Sequence, residues 1–472
     1  MTAPLLRSAL SDDERDMIAQ MSAKLRRSAP LDKLNDAYFE GDQRLEHIGI
    51  AVPPELQVFE TVVNWPRTYV TEVARRQKPK SIIMRGQSSK KKALEAAAAL
   101  QEGFDANNLT SEIRLLNTEK MVYGRCFMTV GANEDDDEHP LMSVESPTQM
   151  SCLIDQRRRR MDAAFRQYHT EDGTRVGTLF LPDKTVQVVA GRKGWEVDTV
   201  GGDNGVDEHG LGRVPVVLFL NRRRLARWDG VSELKDLIPL TDAAARALTN
   251  LQVALETHSV PQKWVLGMSR GDFVDKDGSP IPVWQSYYTA IWANQASPDK
   301  VKVGQFTPSD LKNFHDTTNH YATLASSVTG LPFRYFGQNT ANPAAEGAIR
   351  ADESRLIENA EEKNDEVGVG LGWVLALYER VRTGQWPEAG KAIAFEWRDP
   401  ATPTKAEEAD AIVKLNGNTP VLSREGSWDE LGWDEARKDR ERRYFEQESV
   451  DPMLSSAAEE LREGVDLKGD QE

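Results

Sequence analysis

Residues 343–381 carry an apolar register that a chain can bury only by building one long helix around it. Ile349, Leu356, Ala360, Val367, Leu371, Val374, Tyr378 and Val381 recur at steps of three, four or seven, which returns them to one face at 3.6 residues per turn. Asn342 and Pro343 supply a start signal, and a helix from there to about Val381 would be roughly 60 Å long. Its first half is acidic and its second half apolar, so one end is expected wet and the other buried. Gly368 and Gly370 are the points at which it is expected to bend or break.

Two shorter helices have a narrower pattern. After Pro239, Leu240, Ala244, Leu248, Leu251 and Leu255 make one seam. Further on, Thr307 and Pro308 cap a helix carrying Leu311, Phe314, Thr318, Tyr321, Ala325 and Val328. That two-in-seven seam suits a helix packed against a single partner. Gly330 ends it, with Pro332 just beyond. Between the two helices lies a turn-rich, aromatic insert, and an antiparallel pairing would carry it out on a two-helix stalk. The segment "GLPFRYFGQNTANP" joins the stopped helix to the long one and is neutral from Gly337 to Pro343.

The remaining chain divides by texture. Residues 11–44 read as a charged helix capped by Ser11. A second helix is expected from near Pro54, with Val58, Val62, Trp65, Tyr69 and Val73 in a stripe and a kink at Pro66. "SSKKKALEAAAALQEGF" is a serine-capped helix whose lysines oppose the dipole, through a phosphate contact or a solvated start. From about residue 121, short alternating runs read as antiparallel strands and hairpins. "NEDDDEHP" is expected at a hairpin tip, without spacing that defines a metal site. Arg157, Arg158, Arg159 and Arg160 fall in another turn, and Arg222, Arg223 and Arg224 follow the strand "VPVVLFL". After residue 401 the chain turns helical again and ends in an acidic tail.

The formal net charge is −16 and the hydrophobic fraction 39%, with a mean hydropathy of −0.55. Such a chain repels nucleic acid at long range unless cations are concentrated locally. The basic clusters therefore serve either phosphates or acidic neighbouring subunits, and the second fits this balance better. Two cysteines provide no disulfide framework. The N-terminus lacks a signal-peptide pattern and no stretch is apolar enough to span a bilayer, so a soluble intracellular product without a membrane partner is expected. No nucleotide-binding loop, nucleophile elbow, H-E-x-x-H or C-x-x-C occurs. The Asp275–Gly278 turn has Phe273 and Trp284 where a calcium loop needs ligands. His315 and His320 point to different helix faces. A structural or interaction role is expected, with no enzymatic activity, metal or cofactor.

The order of several segments resembles the portal proteins of tailed bacteriophages, particularly those infecting actinobacteria. It rests on "YFEGDQ", "NWPRTYVTEVARR", "VYGRCFMTV" and "VESPTQM", then "GRVPVVLFLNR" leading into "GVSELKDLIPLTDAAARALTN", and "TGLPFRYFG" leading into "NPAAEGAIRADESRL". The resemblance implies an α+β portal fold: a wing, a two-helix stem with an inserted clip, a long kinked wing helix, and a helical crown. Mapped here, residues 1–34 are an N-terminal arm and 35–229 the wing. Stem helices span 230–259 and 307–329 around a clip at 260–306. A tunnel loop covers 330–342, the wing helix and its return 343–400, and the crown and tail 401–472.

The resemblance further implies a ring, twelve-fold in the family, at the capsid vertex, assembled in the host cytoplasm. Its partners would be the terminase large subunit, a head–tail adaptor, the major capsid protein and scaffold, and double-stranded DNA passing non-specifically. The expected DNA-facing residues are Gly337, Gln338, Asn339, Thr340 and Asn342, with Phe333, Tyr335 and Phe336 as loop anchors. Trp284, Tyr287, Tyr288 and Trp292 are expected to dock partners on the clip. Arg157–Arg160 and Arg222–Arg224 are the expected subunit contacts. Two alternatives remain at this level: a packaging-associated nuclease or motor, and a monomeric α+β binding protein.

Overall fold

The computed structural model describes residues 10–45, 61–85, 90–136, 138–192, 194–199, 205–225, 227–258, 263–266, 302–305, 311–337, 346–387, 393–401, 405–417, 419–433 and 435–449. Their contacts divide the chain into two units, 1–400 and 401–472.

In the first unit, Ser11 and Glu14 close a capping box over α1 (Asp12–Glu40), and Gly41 ends it at φ 84°. The helix thus runs through residue 34, where the arm was expected to end. Its Asp32 takes both arms of the Arg125 guanidinium, at 3.1 and 2.8 Å. Helix α2 (Trp65–Arg76) has Pro66 in its first turn. The expected start near Pro54 lies outside the described residues; residues 61–64 are not helical, so no helix runs unbroken from there through Trp65, and the expected kink at Pro66 is corrected to a start. Proline has no N–H to lose in a first turn and therefore begins a helix more readily than it bends one.

Next come β1 (Pro79–Met84), α3 (Lys90–Ala106), α4 (Leu109–Tyr123), β2 (Arg125–Gly131) and β3 (Leu141–Glu145). The serine cap expected before α3 lies outside the described residues. β4 (Met150–Asp155), β5 (Arg160–His169), β6 (Arg175–Phe180), β7 (Thr185–Gly191) and β8 (Gly194–Val197) form an antiparallel meander, with β9 (Val206–Asp207) paired to β7. β10 (Val216–Leu220) returns to complete a three-stranded sheet ordered β10-β2-β3. α1 packs on the meander over Ile18, Met21, Phe165, Leu179 and Val188.

A 3₁₀ turn at Glu233–Asp236 leads into α5 (Ile238–His258). α5 packs on α6 (Lys312–Thr329), and between them β11 (Lys263–Leu266) pairs antiparallel with β12 (Lys302–Gln305). The residues of α6 that are buried are Ala322, Ala325 and Thr329, small side chains that let two helix axes approach closely. The expected seam needs correction at its ends: Leu255 is 43% and Val328 52% exposed.

α7 (Glu346–Thr383) is 38 residues long and continuous through Gly368 and Gly370, so the expected interruption does not occur. A Cβ at Gly370 would collide with the Phe219 ring, and one at Gly372 would meet the Ile393 carbonyl oxygen at 2.7 Å. These glycines let strands approach the helix. The second half of α7 joins Phe104, Ile113, Leu116, Met128 and Phe219 in one core, and β13 (Ile393–Trp397) pairs with β1 beside it. The first half is wet only in part: Glu353, Leu356, Ala360, Lys363 and Asn364 are all buried.

The second unit holds α8 (Lys405–Asn416), α9 (Arg424–Glu430) and α10 (Glu435–Ser449). Its centre is Trp428, stacked between Trp433 and Phe445 at 5.7 and 5.9 Å. Arg442 joins Glu425 in a two-pronged pair at 2.8 and 2.7 Å.

Candidate functional site

Gly330 ends α6 in the left-handed conformation at φ 73°, where glycine carries no Cβ strain. Arg355 donates to the Ser327 carbonyl at 3.0 Å, so α7 caps the end of α6. The chain then forms a 3₁₀ turn, Phe333–Phe336, closed by Gly337 at φ 90°. Phe336 is buried edge-on against Trp65, with ring centroids 5.4 Å apart. Phe333 packs on the same core.

Polar groups hold this turn to α7. The Glu353 carboxylate accepts from the Tyr335 hydroxyl at 2.9 Å, from Arg334, and from Arg76 of α2 at 3.5 Å. Arg76 also donates to the Tyr335 hydroxyl at 3.0 Å and pairs with Glu72 at 3.0 Å. Burial pulls Arg76 down, but the bonds to Glu72 and Tyr335 outweigh it and hold the guanidinium above its ordinary value. Burial and the bond to Glu353 push the Tyr335 hydroxyl up. The turn is thus clamped to α7 and α2 through Glu353, Arg334 and Arg76, with the Arg76 guanidinium held in its charged form.

A second cluster lies nearly three turns along α7. Lys363 donates to Glu233 at 2.6 Å and to the Asn221 side-chain amide oxygen at 3.0 Å. Tyr69 donates to Glu233 at 3.2 Å and accepts from Asn359 at 3.2 Å. Burial raises Glu233, but the Lys363 charge outweighs it and the carboxyl stays below its usual range. Tyr69 is pushed far up by burial and by Glu233. Above these groups opens a cleft of about 590 Å³, whose α7 wall carries Glu358, Glu362 and Glu366 one turn apart. Arg355 and Lys363 stand on the same helix and Arg222 also lines the cleft. Lys363 and Arg222 are paired with Glu233 and Asp236, however, so the lining is net acidic and disfavours phosphate.

The expected site residues are distributed as follows. Phe333, Tyr335, Phe336 and Gly337 stand at the base just described, while Gln338, Asn339, Thr340 and Asn342 lie outside the described residues, as do Trp284, Tyr287, Tyr288 and Trp292. Arg157, Arg158 and Arg159 form the exposed β4–β5 turn, where Arg158 pairs with Asp155 at 3.6 Å, and Arg160 opens β5. Arg222 is taken up within the chain by Asp236 at 2.7 Å. Arg223 covers Trp228, and Arg224 bridges to Arg227.

Sequence reading missed Arg76, Glu353, Glu233 and Lys363. A signal was present. The apolar register of α7 takes steps of seven between Ile349 and Leu356 and between Ala360 and Val367, and the skipped positions are Glu353 and Lys363. Charged residues at core-facing steps mark where a helix face meets charged partners.

This chain belongs to the phage portal protein family: the family described as "Phage portal protein, SPP1 Gp6-like" matches residues 59–453. It is a structural, non-enzymatic component of the virion, with a mixed α+β fold. The portal protein of Mycobacterium phage L5 is 33% identical over 464 residues, covering 95% of this chain and 92% of that one. The portal protein of Mycobacterium phage D29 is 34% identical over 427 residues, covering 88% and 85%. A chain from the neck of an empty gene transfer agent particle, computed with C6 symmetry, is 14% identical, with 81% and 93% covered and a TM-score of 0.45.

Proposed function

We propose that this chain is the repeating subunit of a twelve-membered ring at one capsid vertex, through which double-stranded DNA enters during packaging and leaves during ejection. In this reading the α5–α6 pair is the stem, and the insert between them is the clip that docks the terminase large subunit and then the head–tail adaptor. The wing meets capsid protein and scaffold, and residues 401–472 form the crown. Residues 330–342 are the tunnel loop, with the part from Gly337 to Asn342 facing DNA.

The observation that carries the reading is the contrast between that loop and its base. The base is fixed by Glu353, Arg76, Arg334 and the Phe336–Trp65 contact. The loop is uncharged from Gly337 to Pro343. A neutral tip on a rigid base touches a sliding duplex without gripping it, since each neutralised phosphate adds binding free energy and drag. The acidic wall of Glu358, Glu362 and Glu366 acts in the same sense.

The test is to delete residues 337–342. Rings of normal size by negative-stain imaging, with capsids that package less DNA, are expected. Variant protein that no longer assembles would show that the loop holds the ring together, and a wild-type chain that stays monomeric under every assembly condition would overturn the ring itself.

A further inference from the structure

Away from the loop, the C-terminal half of α7 bears two unlike surfaces. On one flank, Trp373 is covered by Arg213, whose guanidinium carbon is 3.8 Å from the ring centroid. Arg160, Leu211, Gly212 and Trp386 complete a recess of about 290 Å³ there. Arg160 is exposed and Arg213 half-buried, and among the described residues no carboxylate is ion-paired with either. The nearby Asp155 carboxylate is occupied by the backbone N–H groups of Arg157 and Arg158, at 2.7 and 3.1 Å. Burial and the charge of Arg160 both push Arg213 below its ordinary value. The recess therefore holds two cations that repel each other over an aromatic floor.

On the other flank, Tyr378 contacts His139 at 3.0 Å, at the base of the β2–β3 hairpin. Trp373 and Tyr378 are five residues apart, about 140° around the helix. The hairpin tip carries Glu134, Asp135 and Glu138, all exposed and without a cationic partner among the described residues. The tip is held in shape by Asn133, which accepts from the Asp135 N–H at 3.1 Å and donates to the His139 carbonyl at 3.0 Å.

We propose that the recess of Arg160, Arg213, Trp373 and Trp386 receives the acidic β2–β3 hairpin tip, Glu134 and Asp135 foremost, of the next copy in the ring. The inference rests on the ring reading and names its wing contact. A head-to-tail ring needs two different, complementary patches on well-separated sides of each subunit, and these two patches have opposite charge and lie on separate flanks of one helix. The Arg213 guanidinium, already stacked on Trp373, presents donors for a carboxylate, and Arg160 adds a second cation at the rim. The contact requires both patches at once, so it selects orientation as well as affinity.

The test uses two full-length single variants, Glu134→Cys and Arg160→Cys, mixed, assembled and oxidised. Cys126 and Cys152 are both buried, and burial pushes the Cys152 thiol up to about 11, so the native thiols do not compete. A disulfide-linked dimer only when both variants are present is expected, with a ladder of higher multiples from the double variant. Arg160→Glu is expected to lower ring yield about tenfold, and adding Glu134→Lys and Asp135→Lys to the same chain to restore it. Rings of wild-type size assembled from the two mixed cysteine variants that give no cross-link, or Glu134→Cys linking to itself, would overturn this contact while leaving the ring intact. Absence of rings from the wild type would overturn the ring reading and this contact with it. Loss of double-stranded DNA retention at unchanged ring yield on Arg160→Glu would assign the arginines to phosphate instead.

Discussion

Glu353→Gln probes the clamp under the loop with the least steric change. Glutamine keeps the volume and one acceptor, so the Tyr335 hydroxyl at 2.9 Å retains a partner. It removes the charge that Arg334 and Arg76 face, and it turns an N–H₂ group toward them. Hydrogen bonds to charged groups contribute about 1.5–3 kcal/mol net each. The full sum of two does not apply. Arg334 is about one-third exposed, which screens its share, and Arg76 keeps Glu72 at 3.0 Å and contacts Glu353 only at 3.5 Å. About 2 kcal/mol remains. A loss of that size, confined to the turn, accelerates amide exchange at Tyr335 and Gly337 roughly 30-fold. These amides bond to the Pro332 and Arg334 carbonyls at 3.0 and 3.3 Å. Hydrogen exchange read by mass spectrometry, together with the urea midpoint, gives both the local and the global change. Exchange and midpoint both unchanged would refute the clamp.

Two further perturbations test the core. Lys120 is buried and its side-chain nitrogen has no hydrogen-bond partner among the described residues; burial and the Lys363 charge pull it down to about 7. Its folded value therefore lies below the unfolded one near 10.5, and the unfolded chain holds the proton longer. The cost is full below about pH 7, and wild-type stability from this group rises with pH between the two values. Lys120→Met is expected to stabilise by about 1–4 kcal/mol at pH 6 and to shrink the gain seen on moving to pH 9; denaturant titrations at the two pH values that give the same increment for both proteins would sink the argument. Gly370→Ala is expected to cost about 1–3 kcal/mol, because the new methyl meets the buried Phe219 ring. Gly368→Ala has only an ordinary 3.5 Å contact with Trp397 and is expected to stabilise by up to about 1 kcal/mol through helix propensity, so calorimetry that ranks the two variants equally would refute the close-approach reading.

Local chemistry determined much by itself. The cap at Ser11, the glycine stop at Gly330, the alternation from β2 to β8 and the register of α7 each depend on neighbours within a few residues, where propensity and period act directly. The order of segments also made the family legible, because that order is a property of the chain. Tertiary structure decided the rest, and the reason is that burial and pairing depend on groups far apart in sequence. Pro66 reads as a kink until Trp65 is seen to begin the helix. Glycines in a helix read as weakness until Phe219 and Ile393 occupy the space above them. Glu353 and Lys363 read as solvent-facing charges, yet they are buried against Arg76 and Glu233, 277 and 130 residues away. Val328 and Ala325 are both one-face residues by spacing, and only the position of α5 decides that the alanine is buried and the valine exposed. Sequence set where elements begin, end and alternate; the fold selected which faces meet, since that choice minimises the cost of unpaired charge and unfilled space across the whole unit.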